Sequence, residues 1–116
     1  MNTDDELDGA DWSSLQKPPV SGFVYLLRSP HGFKIGCARN VERRVSDITT
    51  LLPFEVTVEH TFPAPDMYAA ESALHFHFSA KRIRSEWFAL DESDVADIKT
   101  IRTADDVSPR GEIPFE

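Results

Sequence analysis

Two short runs, Phe23-Val24-Tyr25-Leu26-Leu27 and Phe33-Lys34-Ile35-Gly36-Cys37, flank the tetrapeptide Ser29-Pro30-His31-Gly32. Each run is strand-length and rich in β-branched or aromatic residues. The tetrapeptide has proline at the second turn position and glycine at the fourth, as a type I turn prefers. The chain is therefore committed to a β-hairpin near its start. Everything downstream must pack on that hairpin.

After the hairpin, Asn40 is a good helix N-cap, and Val41, Val45, Ile48 and Leu52 recur on one helical face. A helix is predicted over residues 41–52, with Arg43 and Arg44 on its polar side and Pro53 stopping it. Val56, Val58, His60 and Phe62 then alternate with Glu55, Thr57, Glu59 and Thr61, the pattern of a half-buried strand, which Pro63 and Pro65 should break. Asp66 can cap a second helix lined by Met67, Ala70, Leu74 and Phe78. Residues 84–88 are expected to form one short strand, and Asp91-Glu92-Ser93 to cap a last helix through Val95 and Ile98, with Ile101 as a further apolar position. The order is ββαβαβα. It predicts a small α+β domain with a three-to-four-stranded, mostly antiparallel sheet flanked by helices.

The domain is expected at residues 22–98, between an acidic N-terminal tail (1–21) and a C-terminal extension (99–116). Of the 116 residues, 41% are hydrophobic and 28% charged, which excludes a wholly disordered or collagen-like chain. No window approaches the length of apolar residues a membrane span needs, and the acidic start is unlike a secretory signal. One cysteine, Cys37, leaves no intrachain disulfide. A cytoplasmic protein without membrane contact is the expectation.

The formal net charge of −8 argues against a bulk polyanion binder, but the charge is uneven. Residues 1–21 carry five acids and one base, half of the net negative charge. The bases gather instead as Lys34, Arg39, Arg43 and Arg44, and again as Lys81, Arg82 and Arg84. Arginine forks match phosphate bidentately, so Arg39, Arg43, Lys81, Arg82 and Arg84 are candidate nucleic-acid contacts. The competing reading of Arg43 and Arg44 is a solvated helix face paired with Glu42. Glu71 and His75 share a helical face at i, i+4 and are candidates for a divalent cation; their alternative is an ion pair of Glu71 with an arginine. Glu86 offers a carboxylate to Arg82 or Arg84. His31 reads as a solvent group, His60 as half-buried, and Cys37 has no base placed for it by sequence.

Taken in order, Phe23-Val24-Tyr25, Lys34-Ile35-Gly36, Asn40-x-x-x-Arg44, the helical Glu71 and Arg84-Ser85-Glu86-Trp87-Phe88 resemble the GIY-YIG nuclease superfamily. The likeness is to its short phage and bacterial branch, which includes the Orf172-type DNA-binding domain, and covers roughly residues 22–98. It implies that Tyr25 lies near the attacking water and helps deprotonate or orient it. Arg44 would steady the scissile phosphate, and Glu71 would bind one catalytic divalent ion, Mg²⁺ or Mn²⁺. Lys34 stands where the second-motif tyrosine falls and is a catalytic candidate that would hold the nucleophile or phosphate by charge, and His75 is an auxiliary candidate. A base role for Tyr25 requires its pKa to be lowered from about 10. The resulting expectation is a metal-dependent DNA endonuclease or nicking enzyme. The alternatives are a cleavage-deficient nucleic-acid-binding module on the same fold, or an adaptor whose acidic tail binds a basic protein partner.

Overall fold

The computed structural model describes residues 18–106. The acidic tail, its anchor candidates Trp12 and Leu15, and Phe115 lie outside the described residues. Strands β1 (Gly22–Ser29) and β2 (Gly32–Ala38) form the hairpin in continuous antiparallel register, from Phe23 opposite Ala38 to Ser29 opposite Gly32. Gly32 takes φ +138°, a conformation open to glycine, and Ser29 Oγ accepts from the His31 amide to brace the turn. Helix α1 (Val41–Leu51) begins where Asn40 accepts from the Arg43 amide. β3 (Thr57–Ala64) returns on the outer side of β1, and α2 (Met67–His77) begins where Asp66 accepts from the Ala69 amide. After a 3₁₀ turn at Ser79–Lys81 come β4 (Arg82–Arg84), β5 (Trp87–Phe88) and α3 (Glu92–Lys99).

The sheet has five strands in the order β3-β1-β2-β5-β4, and every pairing is antiparallel. The α+β class matches expectation, but the strand count does not. The single strand expected at residues 84–88 is a tight hairpin, β4–β5. It turns at Ser85, a non-glycine residue at φ 54° that propensity does not flag.

β3 departs in two ways. It runs through Pro63, which an outer strand tolerates because it pairs on one side alone. It also carries a bulge: Leu26 faces His60 while Leu27 faces Val58, so Glu59 is the extra residue. Apolar alternation through Val56, Val58, His60 and Phe62 therefore splits between two faces. Val56 packs with Tyr25, Leu27, Val41, Val45 and Ile48 under α1. Phe62 joins the main core of Val24, Leu26, Ile35, Leu74, Phe88, Val95 and Ile98 beneath α2 and α3. That core also holds Ile101, fully buried within the stretch expected to be extension.

Across the bulge, Glu59 accepts from Arg28 Nε at 2.6 Å and pairs with Lys99 Nζ at 2.9 Å. Arg28 also forks onto Glu92. This cross-link joins β1, β3 and α3. His60 contributes Nε2 to the Ile101 carbonyl at 2.6 Å, tying the end of the core to β3.

Candidate functional site

β5 pairs with β2 only at Phe33 and Lys34. Beyond them, residues Ile35–Ala38 have no strand on their outer side, although the Ile35 amide still bonds the Glu86 carbonyl at 3.1 Å. Tyr25, Gly36, Cys37, Glu71, His75 and Glu86 assemble around this open margin of β2.

Gly36 stands directly across from Tyr25, and a Cβ at 36 would collide with the tyrosine Oη and Cζ. The missing side chain lets the ring lie over β2. Tyr25 is only 1% exposed, and its hydroxyl has no hydrogen-bond partner among the described residues. Its pKa is pushed up to about 12, first by burial and then by the negative charge of Glu86, while the Arg44 guanidinium pulls the other way. The lowering that a base role requires is thus absent from the protein chain alone, because desolvation outweighs the nearby arginine.

Glu71 comes to the same place from α2. Its Oε1 accepts the Cys37 thiol at 3.1 Å, and its Oε2 lies 3.6 Å from His75 Nε2. Burial raises the Glu71 pKa, and the neighbouring Glu86 carboxylate adds to the rise. The thiol is itself pushed up to about 12 by burial and by Glu71, so Cys37 is inert as a nucleophile. The i, i+4 pairing of Glu71 with His75 was legible in sequence, whereas the expected arginine partner for Glu71 is replaced by Cys37 and His75. His75 also bonds the Ile35 carbonyl at 2.9 Å, and its Nδ1 lies 3.2 Å from Arg82.

Lys34 does not stand free. Its Nζ meets Glu86 Oε1 at 2.6 Å and lies 5.7 Å from the Trp87 ring centroid. Burial alone would raise the Glu86 pKa, but the ammonium more than offsets that and holds it below the usual value. Glu86, expected to serve Arg82 or Arg84, is therefore the partner of Lys34. Sequence gave no sign of this pair because it depends on the β2–β5 register, 52 residues apart.

Among the described residues, ion pairs engage Arg28, Lys34, Lys81 and Lys99. Lys81 is held by Asp94 and Asp91 at the start of α3, where Asp94 completes a capping box with Asp91. Of the candidate nucleic-acid contacts, Lys81 thus has acid partners. Arg39, Arg43, Arg44, Arg82 and Arg84 are exposed and carry none among the described residues. Sequence reasoning missed the groove of about 740 Å³ that Arg39 enters with Phe23, Pro65, Thr103 and Asp105. It joins the start of β1 to the segment after α3, so only the folded chain forms it.

No group of three or more His, Cys, Asp or Glu among the described residues is arranged to enclose a metal ion. The donor chemistry fits a looser mode. Glu71 and Glu86 crowd each other electrostatically, and a hard dication held by one carboxylate and water relieves that repulsion. No helix among the described residues is long and apolar enough to cross a membrane.

Fold and site together define a small α+β domain with a carboxylate, a buried phenol and exposed arginines at one sheet margin. The chain belongs to the T5orf172 domain family, whose model matches residues 22–102. That is a phage-type family of nuclease-like, DNA-binding domains. No curated protein and no solved structure matches the chain.

Proposed function

We propose that the chain is a divalent-metal-dependent DNA endonuclease or nicking enzyme of GIY-YIG type, hydrolysing phosphodiester bonds at the open margin of β2. One observation carries this reading. Arg44 from α1 and Glu71 from α2 both lie close enough to Tyr25 on β1 to bear on its titration, although 19 and 46 residues separate them from it in the chain.

Each side chain has a role its chemistry suits. Glu71 would hold Mg²⁺ or Mn²⁺, which when bound supplies charge neutralisation at the phosphate and the leaving oxygen. Arg44, unpaired and exposed, offers a planar fork to the non-bridging oxygens. Tyr25, at a pKa of about 12, orients the attacking water through its free hydroxyl rather than taking its proton. Lys34 holds Glu86 beside Glu71 and so adjusts the charge of the cation site. His75 fixes the Glu71 carboxylate against β2.

The second reading, a DNA-binding module without cleavage, draws support from the same Tyr25 pKa and from the neutralised Lys34. Incubation of supercoiled plasmid with the full chain and Mg²⁺ or Mn²⁺, beside Glu71→Ala and Arg44→Ala, separates the two. The nuclease reading expects metal-dependent nicking that both substitutions abolish. Metal-independent DNA binding with no nicking refutes it in favour of the binding module.

A further inference from the structure

Helix α2 presents more than Glu71. Met67, Ala70, Ala73 and Leu74 are buried, while the opposite side carries Tyr68, Ser72 and Phe76 at successive four-residue steps. Tyr68 is 56% exposed and Phe76 65%. Tyr68 and Phe76, eight residues apart, lie two turns and about 12 Å from each other along the axis and about 80° apart around it. The Glu71–His75 stripe lies between them in sequence and borders this side of the helix: Glu71 neighbours Tyr68 and His75 neighbours Ser72, each pair at i, i+3.

Two exposed arginines lie towards the two ends of the same helix. Met67 and the Ala38 carbonyl both press on Gly22, so Tyr68 and Arg39, each the next residue in the chain, stand at the same end of α2. At the other end Arg82 reaches His75, the neighbour of Phe76. Neither arginine has an acid partner among the described residues.

Flat, exposed aromatic faces flanked by guanidinium groups fit unpaired nucleobases on a phosphate backbone. A paired duplex hides its base faces within the stack and has little use for them. Stacked nucleotides rise about 3.4 Å each, so the separation of the two rings corresponds to roughly three to four nucleotides. We infer that the exposed side of α2 is a stacking platform, on which Tyr68 and Phe76 hold unpaired bases of a strand that runs beside the Glu71–His75 stripe. The preferred substrate is then DNA with a single-stranded segment: a flap, a branch or a free strand. This rests on the DNA-directed function proposed above and names its substrate class.

The test measures binding in EDTA, where cleavage plays no part, using a fluorescein-labelled twelve-nucleotide oligothymidine and a blunt duplex of the same length. The full chain should prefer the single strand. Tyr68→Ala and Phe76→Ala should each weaken single-strand binding about ten-fold or more and leave duplex binding within about two-fold. Tyr68→Phe and Phe76→Trp should retain the preference. Equal losses on both DNAs, or no loss on the single strand, overturn the platform while leaving the nuclease reading to the plasmid assay. Failure of the unaltered chain to bind either DNA also overturns the platform, and the nuclease reading again rests on the plasmid assay with metal. Should a second copy of the chain occupy this face instead, molecular mass will rise with concentration, Tyr68→Ala will abolish the rise, and oligothymidine binding will ignore both substitutions; that result also overturns the platform.

Discussion

Tyr25 and Gly36 face each other across the β1–β2 ladder, and the tyrosine ring fills the space a side chain at position 36 would need. The second glycine of β2 is therefore a packing requirement for a residue on the other strand. Gly36→Ala is expected to destabilise the fold by about 1–3 kcal/mol, as overpacking does, and to displace the phenol from the β2 margin. Urea denaturation measures the first effect. A plasmid-nicking rate that falls further than the folded fraction does would establish the second.

Lys34 and Glu86 give a pH-dependent signature. The Glu86 carboxyl titrates below its ordinary value when folded, so the pair's contribution is present above the unfolded carboxyl range and disappears as pH falls through the folded pKa. Lys34→Met should cost about 1–3 kcal/mol at pH 7, and the difference from the unaltered chain should shrink towards pH 3. Denaturation midpoints measured at both pH values check it. A difference independent of pH would mean that the lysine stem, not its charge, carries the stabilisation.

Glu71 behaves in the opposite sense. Its pKa is raised in the fold by burial and by Glu86, so ionised Glu71 opposes folding, with stability present at low pH and lost as pH rises through the folded pKa. Glu71→Gln keeps an acceptor for the Cys37 thiol and removes the charge. The metal-free variant should melt a few degrees higher at pH 7, with the gain vanishing at low pH. Mg²⁺ should raise the melting temperature of the unaltered chain and leave that of the variant unchanged. Thermal scans with and without the metal read both.

The basic positions divide by their partners. Lys81 is occupied by Asp91 and Asp94, so Lys81→Ala should lower stability and leave DNA affinity within about two-fold. Arg39→Ala and Arg82→Ala should weaken binding and reduce the slope of log affinity against log salt by about 1 each. A salt titration of DNA binding distinguishes these outcomes.

Much of this architecture was visible in the chain itself. Asn40, Asp66 and Asp91 cap the three helices as their side chains suggest, and Met67, Ala70, Leu74 and Phe78 line a buried face. These features depend on residues within a few positions of each other. The differences arise where partners are distant or backbone geometry is unusual. Ser85 turns β4 into β5 with a positive φ that serine rarely adopts, and the bulge at Glu59 moves Val58 to the opposite face from Phe62. Glu86 finds Lys34, and Glu71 finds Cys37, through strand register and helix placement that no local spacing encodes. The family resemblance picks out Tyr25, Arg44 and Glu71 together, but the burial that raises the phenol's pKa emerges only once α1 and the hairpin close over it.

Pro63 and the brevity of β4 also govern how the sheet meets its own kind. Exposed sheet borders readily recruit further strands. Here one border carries a residue without an N–H, and the other is three residues long with arginines at both ends. Neither offers a clean template for annealing a second copy. Copies of the molecule can therefore crowd together without knitting their sheets into fibres.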